Sequence, residues 1–301
     1  MPVHPVISLL QSRRAAGART DGHRLALAVE GGGSRGAFSG GMVVALAELG
    51  YAACFDAVFG SSAGALNGAW FLAGQARPDV MAWDDPAVIR RVTNPWRALR
   101  LGPVVDTTHL VQVVYETIPM DFAAILANPT TFHPLATDTA TGAATDLHPL
   151  VTDQRTLQLA LRASTGLPLL SGPPVRLGGR TFIDAGLAEA IPFRTPLARG
   201  FTDVLVLRTR QTGWTAGPPS RLEGRVVSRY LDRVAPGALS SWEGRAARQE
   251  ADDRDLATDP AVLEVRPAAG APEVGRLTRD TALLTRAVAA GREAVLRVLS
   301  P

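Results

Sequence analysis

The sequence predicts an α/β fold of three layers, a mainly parallel central sheet held between helices, and three observations carry that expectation. Short apolar runs at residues 24–30, 55–59 and 203–207 read as strands buried on both faces. The first two runs each pass through a glycine-rich turn, residues 31–36 and 60–64, into a helical pattern. Hydrophobic residues make up 46% of 301 and charged residues 20%, enough for one large core with no internal repeat to divide it. The division expected is an N-terminal arm over residues 1–23 and a single domain over 24–301.

Taken in order, residues 1–23 hold prolines, glycines and polar residues and read as a loosely held arm. The strand at 24–30 leads into Gly31-Gly32-Gly33-Ser34-Arg35-Gly36, then a helix with Met42, Ala45, Leu46 and Leu49 on one face, stopped by Gly50. A second strand ends at Gly60-Ser61-Ser62-Ala63-Gly64 and a second helix runs to Leu72, closing at Gly74. Gly68 inside that helix implies close packing against a neighbour. Residues 77–129, with Pro78, Pro86, Pro95 and Pro103 among Trp83 and Trp96, read as a cap of short helices over the site or as a plain surface insertion, with the clearest helix at 109–118. Strands follow at 131–137 and 144–150 around a turn at 138–142, and Thr152-Asp153 caps a helix through Leu157, Ala160 and Leu161. A hairpin of 175–177 and 181–183, turning at Gly178-Gly179, delivers Asp184-Ala185-Gly186. Strands at 203–207 and 261–265 bracket an Arg/Gly/Pro-rich insertion, 210–258, that reads as helical in part, and from Thr278 a helix with Leu284, Val288, Val295 and Leu299 on one stripe closes the chain.

Composition excludes several classes. The 31 basic residues are all arginine, yet the net charge is only +3, too little for a nucleic-acid footprint. One cysteine, Cys54, excludes an internal disulfide framework, and its place at the mouth of an apolar run predicts a buried, inert thiol. No stretch approaches the roughly 18 apolar residues of a spanning helix, and the N-terminus lacks the order of a secretory signal. A soluble cytoplasmic protein is the default expectation.

Gly-x-Ser-x-Gly between a strand and a helix is the context of a nucleophile elbow, in which a sharp turn presents the serine, here Ser62. Gly60 and Gly64 supply the small neighbours that strained backbone requires. The helix behind it directs its N-terminal N–H groups toward developing negative charge. The loop 31–36 also fits G-x-G-x-x-G, with Asp56 twenty residues past Gly36, so a dinucleotide-binding reading competes. It leaves Gly-x-Ser-x-Gly unexplained and puts its acid at the start of the second strand. A serine nucleophile needs a base. None of the histidines His4, His23, His109, His133 and His148 follows Asp184 in the chain. That leaves a differently ordered triad or a base other than histidine. Asp184 at a strand end is the candidate, provided burial lifts its carboxyl above the ordinary value of about 3.9. No His/Cys/carboxylate cluster has metal-ligand spacing, so neither metal nor cofactor is expected.

These motifs together resemble the patatin-like phospholipases. That family carries a G-G-G-x-R/K-G loop, a G-x-S-x-G serine and a D-G-G/A aspartate, found here in the same order at 31–36, 60–64 and 184–186. Ala136-Thr137-Asp138 with Thr141-Gly142, Arg162-Ala163-Ser164 with Pro168, and Ile191-Pro192 agree as well, so the resemblance spans about residues 24–210. It implies a three-layer α/β/α sandwich of the patatin type and metal-free hydrolysis of lipid acyl esters by a Ser–Asp dyad. The partner it implies is a lipid ester substrate met at a membrane surface. Carried over residue by residue, Ser62 is the nucleophile and Asp184 the base. The backbone N–H groups around Gly32, Gly33 and Ser34 form the oxyanion hole, and Arg35 fixes the loop or attracts a phosphate head group. Two departures stand out: Ala185 where the family usually has glycine, which bears on how Asp184 points, and Ala190 where asparagine is common. A catalytically impaired relative that binds lipid or a partner is the alternative that Ala185 raises.

Overall fold

The computed structural model describes residues 3–100, 102–214 and 221–300. Among these, eight strands form one sheet: β1 (Leu25–Val29), β2 (Ala57–Ser61), β3 (Thr131–Asp138), β4 (Ala144–Asp146), β5 (Val175–Leu177), β6 (Arg180–Ile183), β7 (Asp203–Leu207) and β8 (Val262–Val265). Hydrogen-bonded neighbours run β5-β6-β3-β2-β1-β7-β8, with β4 also on β3. The five strands from β3 to β8 are parallel and the remaining pairings antiparallel. Every residue of β1 is apolar and buried because parallel neighbours and helices enclose it on all sides.

Side-chain alternation along the strands separates two apolar layers. Leu25, Leu27, Val29 and Val58 face one core, shared with helices α1 (Pro5–Ala16), α2 (Gly36–Glu48) and α3 (Ala63–Leu72) and with the closing helix Thr281–Leu299. Ala26, Ala28, Ala57 and Phe59 face the other, against Phe193, Phe201 and Leu256. The three-layer α/β sandwich with a mostly parallel sheet is therefore the fold. Gly50 and Gly74 lie in the left-handed region just past α2 and α3, which needs no Cβ. A Cβ on Gly68 would come within 3.0 Å of Val58 Cγ1 and 3.2 Å of Phe132, the close packing its place in α3 implied.

The register on β3 positions the site. Leu135 pairs with Ser61 of β2 and with Asp146 of β4, whereas Thr137 pairs with Ala144 of β4 and Ile183 of β6. With β4 along one edge, β2 and β6 share the other. They run toward each other there, and the residues that follow them, Ser62 and Asp184, meet at the gap.

Two segments, the arm and the cap, differ from expectation. The arm carries α1, whose Val6, Leu9 and Leu10 enter the main core. Pro5 stands at the first helical position, where its missing N–H is not needed, so it starts a packed helix where the sequence predicts a loosely held arm. Arg13 ties α1 down: its buried guanidinium donates to Asp21, Asp56 and the carbonyls of Cys54 and His23 at 2.7–2.8 Å. These bonds hold the Asp21 carboxyl well below the usual range. Residues 77–129 form short helices, Pro78–Met81, Pro86–Val92 and Phe122–Ala127 among them, with a π-type turn Leu110–Val114. Their Met81, Val92, Val111, Tyr115 and Phe122 join the core of α2 and α3, so the expected cap is a continuation of that helical layer. The insertion 210–258, of which 215–220 lie outside the described residues, holds helices Arg221–Val234, Leu239–Glu243 and Arg245–Thr258.

α2 crosses the closing helix at backbone contact. A Cβ on Gly291 would lie 2.0 Å from the Phe38 carbonyl oxygen, whereas Gly224, inside the helix Arg221–Val234, has nothing within 4 Å. Helix propensity favours alanine by about 1 kcal/mol at either position, and overpacking opposes it by about 1–3 kcal/mol at the crossing alone. Urea unfolding is thus expected to find Gly224→Ala stabilised and Gly291→Ala destabilised. Two gains of equal size would refute the close crossing.

Candidate active site

Ser62 sits between β2 and α3 with φ 52° and ψ −126°, a region side chains seldom occupy and which the packing around it enforces. A Cβ on Gly60 would come 2.5 Å from Ala65 Cα, and one on Gly64 would come 2.1 Å from the Val29 carbonyl oxygen. Strand, turn and helix close on one another only with glycine at both positions. The Ser62 N–H donates to Ser164 Oγ at 2.9 Å, and Ser62 Oγ donates to Asp184 Oδ2 at 2.7 Å. Ser62 is 5% exposed and Asp184 4%.

Asp184 is fixed by its surroundings. Its N–H donates to the Gly166 carbonyl at 3.0 Å and its carbonyl accepts from Thr137 Oγ1 at 2.8 Å. Oδ1 accepts the Gly186 N–H at 2.8 Å, and a Cβ on Gly186 would crowd that oxygen at 2.8 Å. Burial pushes the carboxyl up to about 6, against the opposing pull of the Ser62 and Gly186 hydrogen bonds and the Arg276 charge. The substitution of glycine by Ala185 does not disturb this arrangement. Ala185 lies outside the left-handed region and packs with Phe59, Leu135 and Ile191.

The glycine loop lies against the serine. A Cβ on Gly31 would come 2.9 Å from Ser62 Cβ, and Gly32 and Gly33 have φ 153° and 60°. Its N–H groups are not all available. Gly31 donates to the Ala190 carbonyl at 3.2 Å, Ser34 to the Arg276 carbonyl at 2.9 Å and Arg35 to the Gly32 carbonyl at 3.3 Å. The expectation that Ser34 offers an oxyanion donor is therefore corrected: its N–H is taken by a strand of backbone from the far end of the sequence. Gly32 and Gly33 keep N–H groups with no acceptor among the described residues. Arg35 is 7% exposed, and its Nε lacks an acceptor. It lines a cavity of about 270 Å³ with Phe38, Arg210, Trp214 and Val274. Burial and the Arg210 charge lower its pKa to about 9.

The rival arrangements separate in space. Asp56 accepts from the Leu25 N–H and from Arg13 at the start of β2, the opposite end of the strand from Ser62. It has no part at the glycine loop, so the dinucleotide reading loses its acid. His133 bonds Asp146 at 2.7 Å and stacks on Phe59, while His148 bonds the Phe132 carbonyl. Neither they nor His109 bond to Ser62 or Asp184.

Sequence reasoning missed the supports. Arg208, fully buried, donates to Glu30 at 3.0 Å and to Asp253 at 3.0 Å, and Glu30 accepts the Thr209 N–H. Thr209 Oγ1 donates to the Gly31 carbonyl at 2.8 Å, so this network carries the glycine loop. An arginine directly after the apolar run of β7 was the available signal. Asn67 inside α3 donates to the Gly36 carbonyl and to Ser39, and accepts from Trp83 Nε1 at 2.7 Å.

A model of the patatin-like phospholipase family matches residues 27–197, which hold all three motifs. Protein YjjU of Escherichia coli K12 is 32% identical over 192 residues, 62% of this chain and 52% of that protein. An NTE family protein of Mycobacterium tuberculosis H37Rv is 30% identical over 240 residues, 76% of this chain and 60% of its own length. The chain thus spans between half and two thirds of these relatives. Among solved structures, VipD from Legionella pneumophila aligns over 94% of this chain and 69% of its own, with a TM-score of 0.46 and 16% identity. The span and motifs of the family match settle the affiliation: this chain belongs to the patatin-like phospholipase family.

Proposed function

We propose that the protein is a serine lipid acyl hydrolase working through Ser62 and Asp184. The observation that carries this reading is the 2.7 Å contact between Ser62 Oγ and a buried carboxylate whose pKa is raised to about 6. An ordinary aspartate is too weak a base, but one lifted toward neutrality accepts a proton more readily while staying ionised at pH 7. Ser62 Oγ attacks the ester carbonyl carbon as its proton passes to Asp184 Oδ2. The resulting oxyanion lies between the N–H groups of Gly32 and Gly33, preorganised donors in a site little exposed to bulk solvent. Collapse expels the alcohol, which takes the proton back from Asp184, and leaves an acyl ester on Ser62. Water, deprotonated by Asp184 in turn, attacks the acyl carbonyl and releases the fatty acid, and the proton passes from Asp184 back to Ser62 Oγ. Arg35, with Arg210 and Arg276 near it, gives a phosphate group of the substrate an attractive neighbourhood. No observation favours the impaired relative, since Ala185 fits the loop without strain.

Ser62→Ala is expected to abolish hydrolysis of p-nitrophenyl and phospholipid esters and labelling by a fluorophosphonate, with the circular dichroism spectrum retained. Turnover near wild type by the folded variant would sink the assignment. Asp184→Asn is expected to lower kcat by about 10²–10⁴, while alanine at His109, His133 or His148 does not. The wild-type rate should fall as pH drops through about 6, where Asp184 becomes protonated.

Stability responds with the opposite sign. The folded carboxyl, raised above its unfolded value of 3.8, binds protons that the unfolded chain has released, so its ionisation destabilises the fold as pH rises from about 4 to 6. Asparagine has no such term. Over that window the Asp184→Asn protein should gain on wild type by on the order of 3 kcal/mol, measured by denaturation at several pH values. A flat difference would mean that Asp184 is not desolvated.

A further inference from the structure

Trp96 and Leu99 are 72% and 79% exposed and stand on one short helical turn, Pro95–Arg100. Large apolar side chains left in water together mark a surface that something covers. The charge around them says what. Between Asp85 and Asp106 the chain carries Arg90, Arg91, Arg97 and Arg100 and no carboxylate. Arg97 leans on Asp106 at 3.8 Å. Arg90, Arg91 and Arg100 are exposed and make no ion pair among the described residues.

The turn is joined to the site through its base. Thr93 bridges Val105, and Asn94 donates to the Val104 carbonyl at 2.8 Å. Val105 in turn donates to the Leu170 carbonyl at 2.9 Å. Leu170 belongs to the loop whose Gly166 carbonyl accepts the Asp184 N–H, and its neighbour Leu169 is 42% exposed with φ 65°. One continuous run of backbone bonds therefore leads from the exposed tip to the loop that holds Asp184.

We propose that the Pro95–Arg100 turn, with Leu169 on the loop that anchors it, is a docking surface for a bilayer containing anionic lipid. Tryptophan and leucine enter the interfacial zone, and the arginines reach phosphate and carboxylate groups while their methylene stems lie along the apolar boundary. Docked this way, the protein brings the Asp184 loop to the membrane and lets a lipid ester reach a serine that bulk solvent barely touches. That consequence rests on the hydrolase reading; the docking itself does not.

Cosedimentation with vesicles tests it, using wild type and, so that no lipid is consumed, Ser62→Ala. Both are expected to bind phosphatidylcholine vesicles holding about 30 mol % phosphatidylglycerol, and to bind neutral vesicles or vesicles in about 0.5 M salt far more weakly. Trp96→Ala with Leu99→Ala, and separately Arg90→Glu with Arg91→Glu, should each lower the partition coefficient by about tenfold or more. Should the apolar double variant misfold by circular dichroism, the arginine pair decides alone. Wild type remaining in the supernatant, or folded variants that bind as wild type does, would overturn the proposal. So would a dimer seen by light scattering that dissociates on replacing Trp96 and Leu99, which would assign the face to a second copy of the chain. Vesicle binding by a wild-type protein that hydrolyses no ester would keep the docking surface and remove the hydrolase.

Discussion

On one side of β3, the parallel strand β2 and the antiparallel strand β6 run toward each other and stop, with Ser62 and Asp184 at their ends, so the 2.7 Å contact between them is a consequence of register. A strand presents alternate residues to opposite faces, and a slip of one position would turn a side chain to the other side of the sheet. Several features resist such a slip. The Gly178-Gly179 turn fixes β6 against β5, and Thr137 Oγ1 bonds both the Asp184 carbonyl and the Ala188 N–H. Ser164 reaches from the helix Gln154–Ser164 to hold the Ser62 N–H. The left-handed backbone of Ser62 persists because all of these bonds exist around it.

Two buried arginines illustrate how differently the molecule treats charge. Arg208 is enclosed, yet Glu30, Asp253 and Glu264 all accept from it, and their charge keeps it ionised against the pull of burial. Such a cluster contributes little net stability compared with an apolar equivalent, but it fixes geometry, here the height of the glycine loop above the sheet. Arg35 is almost as buried and has no acceptor at Nε. A buried guanidinium nitrogen without an acceptor is destabilising. Asp184 belongs with Arg35: burial makes it costly as a charge, and pushes its carboxyl up to about 6.

Much of this was legible in the sequence because it rests on local constraints. Glycine at 60 and 64 follows from backbone contacts within one turn, and the alternation of short apolar runs with helical patterns follows from burial on both faces. The supports were harder to read because their partners lie far apart in the chain. Ser34 and Arg276, Glu30 and Arg208, and Arg13 and Asp56 are brought together by the fold, and no local pattern marks them. The helix α1 was missed for a different reason, since Pro5 signals a loop in most settings and a helix start in this one. Leaving Ser34 among the oxyanion donors had the same origin as the missed supports. The loop's own residues cannot reveal that a carbonyl 242 positions later occupies one of its N–H groups.

That last bond bears on what a complete site requires. The family match ends at residue 197, after all three motifs. Yet the Gly31 carbonyl is held by Thr209, Glu30 by Arg208, the Ser34 N–H by Arg276, and the Ser34 hydroxyl donates to the Thr278 carbonyl. Beyond these, α2, which starts at Gly36, lies flush against the closing helix. Gly32 and Gly33 need no sequence partner to adopt positive φ, but without these contacts nothing selects one among the many conformations open to glycine. Preorganised donors stabilise an oxyanion because they are already in place when charge develops. In the proposed mechanism the motif residues supply the reacting groups, while the C-terminal third of the chain supplies the contacts that hold the glycine loop in place.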